Sequence, residues 1–184
     1  MKTTKRQIDK QKNDEPTDVL YRIKRGLVSY VSYLAACEMN PSFSEYLLYE
    51  PILRILTARS FEAECEYPVN LSGYQVGDTK RVDFFVRSLK QRELVFALEV
   101  KWAKTKYIDA KNDIEKLDWI LKNKQSPRCF LCIFGVKSII ENIRVKGIKK
   151  RNRMLKQKGK IRTADLGITK YSCRVYEYMD KPKV

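Results

Sequence analysis

"KRVDFFVRSLKQRELVFALEVKWAK", residues 80–104, holds two strand-like apolar runs joined by the polar connection "SLKQR". Charge interrupts both runs: Asp83 sits in the first, Glu99 and Lys101 in the second. On a strand, residues two apart face the same way. Glu99 and Lys101 therefore share one face, and Leu98, Val100 and Trp102 share the other. A hairpin lays Asp83 alongside them. Two carboxylates brought close resist ionising together unless a cation lies between them. A divalent metal answers that need. Mg²⁺ prefers hard oxygen ligands and takes only one or two protein carboxylates, leaving room for water and phosphate. The metal ligands expected here are Asp83, Glu99 and the Val100 carbonyl. Lys101 is placed to orient or deprotonate an attacking water, or to stabilise the anion that develops.

Working outward, Leu20, Ile23, Leu27, Val31 and Leu34 are spaced for one face of a helix over 18–40, with Thr17 or Asp18 as N-cap. "NPS" at 40–42 ends it. A second helix is expected over 44–60, capped by Ser42 or Ser44 and weakened by Pro51. "FEAECEYPV", 61–69, reads as a strand with Phe61, Ala63, Cys65 and Tyr67 on one face, and 70–78 as a loop. Residues 107–124 carry the helical stripe Ile108, Ile114, Leu117, Ile120 and Leu121. "PRCFLCIFGV" is a buried strand, 138–159 a very basic helix, and "YSCRVYEYM" a closing strand. The order α-α-β-β-β-α-β-α-β predicts an α/β fold: a central mixed sheet of four to five strands flanked by helices. Residues 1–17 read as a disordered polar tail, 18–40 as an N-terminal helix, and 41–184 as the core, with the basic helical segment 138–162 before the last strand.

The 184 residues suit one domain with a real core. No histidine is present, which excludes His-based general bases, Ser-His-Asp triads and most zinc sites. Five cysteines are scattered without framework spacing, pointing to free thiols and a cytoplasmic location. Cys129 and Cys132 form a C-x-x-C, but inside a strand they face opposite sides and are expected to pack in the core. No apolar stretch is long enough for a membrane span, and the N-terminus lacks a signal's apolar region.

Charge is lopsided: residues 1–121 carry a net +2 and residues 122–184 a net +14. Such asymmetry suits a polyanion partner, with nucleic acid ahead of a membrane surface or a merely solvated basic face. "RVKGIKKRNRMLKQKGKIR", 144–162, has ten cations and no acid. Lys146, Lys149, Lys150, Arg151, Arg153 and Lys156 are its candidate phosphate contacts. Trp102, Tyr107 and Trp119 are expected to pack in the core or at its rim rather than stack on bases.

Asp83 followed, after fifteen intervening residues, by Glu99-Val100-Lys101 resembles the PD-(D/E)XK nuclease superfamily. The resemblance covers residues 42–136, with Val82 where the family name has proline. It implies a restriction-endonuclease-like core and a Mg²⁺-dependent endonuclease acting on DNA, with Mn²⁺ as a substitute. It also implies a glutamate from the helix before the strands. At about 100° per residue, Glu45 falls within the stripe of Leu48, Tyr49, Ile52, Ile55 and Leu56, while Glu50 falls at its edge, so Glu45 is chosen as a ligand. Asp113 and Lys116 resemble polar positions kept near such sites, though a surface i,i+3 pair explains them equally. The rival expectations are a non-catalytic nucleic-acid-binding module of the same fold, and an interaction protein that meets an acidic partner. With no separate reading domain, target choice is expected from a homodimer or a partner subunit.

Overall fold

The stripe Leu20, Ile23, Leu27, Val31 and Leu34 is buried along its whole length in the structure, a computed structural model that describes residues 16–39, 44–71, 79–90, 93–124, 127–147, 152–164 and 168–181. The helix that carries it, α1, spans Pro16–Ala36. It begins before the expected Thr17 or Asp18 cap, because proline's fixed φ and missing N–H suit a first helical turn. Asp18 lies in that turn, near the positive end of the helix dipole, and pairs with Arg22 at 2.9 Å. Residues 1–15 of the expected tail lie outside the described residues.

The second helix is divided. A 3₁₀ turn covers Glu45–Leu48, and α2 covers Tyr49–Thr57. Ser44 holds the N-cap position without a side-chain cap bond, and Ser42 lies outside the described residues. Pro51 falls in the first turn of α2, where a missing donor costs least, so it produces no break within that helix.

The strands are β1 (Phe61–Val69), β2 (Lys80–Ser88), β3 (Leu94–Ala103), β4 (Tyr107–Asp109), β5 (Arg128–Val136), β6 (Arg144–Lys146), β7 (Arg153–Gln157), β8 (Arg162–Thr163) and β9 (Tyr171–Asp180). Two more helices are α3 (Lys111–Asn123) and α4 (Lys137–Glu141). The main sheet runs β1-β2-β3-β5-β9-β7, with β8 also on β9. Only β3 and β5 pair in parallel, across the α3 crossover; the other pairs in this sheet are antiparallel. The fold is thus α/β with a mixed sheet. It has seven strands rather than four to five, because the segment expected as a basic helix supplies β7 and β8 to it. Its β6 instead joins β4 in a two-stranded parallel ribbon. Gly147 (φ 111°) and Gly159 (φ 66°) adopt left-handed conformations that interrupt any helix there.

Each face of the sheet has its own core. Ile23 and Leu27 of α1 and Ile52 and Leu56 of α2 pack with Phe84, Leu98, Val100, Phe130 and Cys132. Ile114, Leu117 and Ile120 of α3 pack with Ala97, Ala103, Cys129, Leu131 and Ile133 on the other side. Cys129 and Cys132 serve opposite cores, as strand alternation requires, and both thiols are free.

One irregularity shapes the rest. Phe61, Ala63 and Cys65 pack on the α1 side, but Tyr67 packs on the α3 side, contrary to the single face expected for β1. Between them Glu66 holds φ 55°, a conformation uncommon outside glycine, and the strand turns over there. Its neighbour β2 turns over at the same level: Phe84 faces the α1 core and Val82 the other. Asp83 sits at that point. β2 stays paired with β1 through Lys80–Val69, whereas its pairing with β3 ends at Phe84–Leu98. The two strands diverge, leaving the far half of β3 without a main-chain partner on that side.

Candidate active cleft

The diverging strands open a cleft of about 400 Å³. Glu45, Asp83, Lys101, Asp113 and Lys116 line it, with Tyr46, Tyr49 and Glu66 on one wall and Lys80 and Arg81 among the residues around it. Alternation along β3 sends Glu99 and Lys101 to the α3 side, opposite the faces of Leu98 and Val100. Asp83 and Glu45 occupy the gap that β2 vacates. Asp83 Oδ2 accepts a 2.6 Å hydrogen bond from the Val100 N–H, and Glu45 Oε1 accepts one of 2.9 Å from the Trp102 N–H. In a strand the N–H and C=O of one residue face the same neighbour, so the Val100 carbonyl shares this gap with Asp83.

Glu99 is 1% exposed. Its Oε2 meets Lys116 Nζ at 2.7 Å, while its Oε1 is buried and accepts no hydrogen bond from a described residue. Lys101 Nζ meets Asp113 Oδ2 at 2.7 Å, and Lys116 reaches Asp113 Oδ1 at 3.6 Å. At the wall, the Tyr49 hydroxyl donates to Glu66 Oε1 at 2.7 Å.

Electrostatics follow from this packing. Burial, then the charge of Asp83, pushes the Glu99 carboxyl well above the usual range, against the pull of Lys116. Burial also raises Asp83, opposed by the Val100 N–H and by Lys116. For Lys101 and Lys116 burial disfavours the charged form, but Asp113 and Glu99 respectively outweigh it, and both ammonium groups titrate higher than a free lysine. Asp83 and Asp113 therefore line the cleft with two firmly protonated lysines, Lys101 and Lys116, while the Glu99 carboxyl is buried against Lys116.

The donor set suits a hard cation. Mg²⁺ needs only one or two protein carboxylates. Asp83, Glu99 with its unpartnered Oε1, and the Val100 carbonyl offer oxygens of that kind, with Glu45 beside them. Lys116 now takes one side of Glu99, and among the described residues no group of three His, Cys, Asp or Glu is arranged to hold a metal.

The structure brings Glu45, Asp83, Lys101 and the backbone of Val100 to one cleft, over the buried Glu99. Glu50 is exposed and pairs with Arg54, away from it. The reason Glu45 is inside differs from the spacing argument, since it belongs to a 3₁₀ turn that runs up to the end of β3. Asp113 and Lys116 are not a surface pair; both are largely buried and tie α3 to β3. Tyr49, Glu66, Lys80 and Arg81 went unnoticed in the sequence. Glu66 gave no signal, since it falls with Glu62 and Glu64 on the polar face expected of that strand.

The basic segment is less uniform than its composition. Lys146 and Lys156 are exposed, whereas Arg153 is drawn in against Asp180 (2.8 Å) and Asp118 (3.7 Å) and supports the fold instead of facing solvent. Lys149, Lys150 and Arg151 lie outside the described residues. Trp102 and Trp119 are half-buried, Trp102 against Phe134 and Tyr171, but Tyr107 is 50% exposed.

No protein-family model, curated protein or solved structure matches this chain. No helix among the described residues is long and apolar enough to cross a membrane.

Proposed function

We propose that this chain is a divalent-metal-dependent endonuclease that hydrolyses phosphodiester bonds in DNA on a restriction-endonuclease-like core. One observation carries the reading: Asp83 and Lys101 line one cleft where two strands part, and Glu99, buried two residues before Lys101 on the same strand, keeps a carboxylate oxygen without a donor among the described residues. Asp83, Glu99, the Val100 carbonyl and Glu45 would hold Mg²⁺, with Mn²⁺ as substitute. Bound there, the metal supplies charge compensation at the phosphate and acidifies water. Lys101, kept protonated by Asp113, acts as a charge donor to the oxyanion that develops rather than as a base. Lys80 and Arg81 at the cleft, together with the exposed cations of the last third, would hold the phosphate backbone. Target choice is assigned to a homodimer or a partner subunit; full activity from a strictly monomeric species in sedimentation would remove that part.

The test is cleavage of DNA by the full chain with Mg²⁺ and with chelator. Wild-type protein should cut only with metal, and Asp83→Asn and Lys101→Met should each cut at least about a hundred-fold more slowly. Wild-type activity surviving in both variants overturns the reading.

The ammonium of Lys116 on Glu99 favours a second reading, a nucleic-acid-binding module in which lysine has taken over the metal's position. Such a module binds DNA equally with chelator present and never cuts it.

A further inference from the structure

Away from the cleft floor, one aromatic ring is surrounded by positive charge. Tyr107 opens β4, and its exposed ring has Lys106 Nζ at 5.6 Å, Arg144 Cζ at 5.8 Å and Lys146 Nζ at 5.8 Å from its centroid. All three cations are exposed, and none makes an ion pair with a described carboxylate. Two carboxylates lie nearby: Asp109, in register with Lys146, accepts from the Lys111 N–H at 2.9 Å, and Glu141 faces Lys137 at 3.8 Å. Three like charges gathered on one ring repel each other, a cost that a bound anion would offset.

The arrangement is also held rigidly. The Arg144 N–H donates to the Lys106 carbonyl at 2.7 Å, and the Ala110 N–H to the Lys146 carbonyl at 3.0 Å. Ile108 anchors the ribbon in the α3-side core at 6% exposure. Gly147, at φ 111°, lets the ribbon lie against the start of α3, where an added Cβ would come within 2.5 Å of the Lys111 nitrogen. A cavity of about 530 Å³ shares Lys106 and Arg144 with this cluster and is otherwise lined by Ser138, Glu141, Asn142 and Ile143. The chain running from Tyr107 to Asn112, which lines the cleft, spans at most roughly 18 Å when fully extended.

We infer that Tyr107, Lys106, Arg144 and Lys146 form a binding site for an unpaired nucleotide, the base stacking on the ring and its flanking phosphates meeting the three cations. A π-face and a cationic fork together are what single strands select, because a base within a duplex offers no free face. The inference deepens the nuclease reading, on which its link to cleavage rests, by naming the substrate: nucleic acid with a single-stranded stretch beside the cut. Binding itself does not depend on that reading.

The experiment measures anisotropy of labelled single-stranded oligothymidine, single-stranded oligouridine and a blunt DNA duplex with the full chain, in chelator. Tyr107→Ala should weaken the single-strand complexes by about 5- to 150-fold and the duplex by less than about two-fold. Tyr107→Phe should retain binding, and Arg144→Ala should weaken both forms and flatten the salt dependence. The two single-strand arms separate DNA from RNA preference. Wild-type single-strand affinity in Tyr107→Ala, equal losses on duplex and single strand, or no single-strand binding by the wild type would each overturn the site. Cleavage with Mg²⁺ is scored separately. A chain that binds single strands through Tyr107 but never cuts retains this site and loses the nuclease reading.

Discussion

Two buried carboxylates, Glu99 and Glu177, lie on opposite faces of the sheet and meet opposite fates. Glu177 is in register with Phe130 on the α1 side. Arg128 holds its Oε1 at 2.7 Å and Lys158 its Oε2 at 2.9 Å. Burial alone would push that carboxyl up, but the two cations outweigh it and bring it below the ordinary value. Glu99 has one oxygen satisfied by Lys116 and the other by nothing described, faces the charges of Asp83 and Asp113, and is pushed well up. The first cluster is complete. The second is an unfinished assembly in which negative charge is concentrated without sufficient compensation, and such arrangements mark sites of chemistry more often than sites of stability.

The widest gap should appear in catalysis. Asp83→Asn should lower the rate of metal-dependent DNA cleavage by about 10²–10⁴-fold, while Glu177→Gln leaves it within about two-fold of wild type. Comparable losses in both would erase the distinction. Next comes metal linkage in thermal melts. Mg²⁺ at about a hundred times its dissociation constant should stabilise the wild type by about 2.7 kcal/mol. That corresponds to roughly 5–10 °C for a chain of this size. Glu99→Gln should abolish this shift and Glu177→Gln should keep it.

Without metal the stability effects reverse. In urea denaturation Glu177→Gln should cost about 1.5–3 kcal/mol, the worth of hydrogen bonds to charged partners. Glu99→Gln should cost less than that, because a desolvated carboxyl is removed and Lys116 keeps Asp113 at 3.6 Å as a counter-charge. The smallest effect is in pH dependence. Glu177, depressed in the fold, contributes stability above its unfolded pKa of 4.5 and loses it as pH falls through the lower folded value. Glu99, raised in the fold, works the other way: its cost appears as pH climbs from 4.5 through the higher folded value. In chelator, Glu177→Gln should therefore flatten the acid limb of the stability curve and Glu99→Gln the limb above it.

The sequence made the α1 stripe, the β2–β3 pair and the shared face of Glu99 and Lys101 legible because periodicity encodes them directly. It misled over most of 138–162, where Lys, Arg, Leu and Met favour helix by propensity but, beyond the single turn of α4, the described residues form short strands at the margins of the sheets. β7 is an edge strand, where exposed lysines are useful for discouraging further pairing. Gly147 and Gly159 were the available warnings, since isolated glycines often mark places where regular structure stops. Asp113 and Lys116 had the spacing of an ordinary surface pair. Nothing local could reveal that the α3 crossover would press them onto β3, because that contact depends on tertiary packing. The turnover at Glu66 was equally hidden, as it breaks the alternation on which the strand assignment relied.

The hydrogen bonds that Asp83 and Glu45 accept from Val100 and Trp102 have a practical consequence. These carboxylates cover main-chain donors on a stretch of strand that would otherwise be adhesive to another chain. Truncating either to alanine removes a charge and also bares that stretch, so a precipitating variant could be mistaken for an inactive one. Asparagine and glutamine keep the acceptor oxygen, making them the substitutions that separate lost chemistry from self-association.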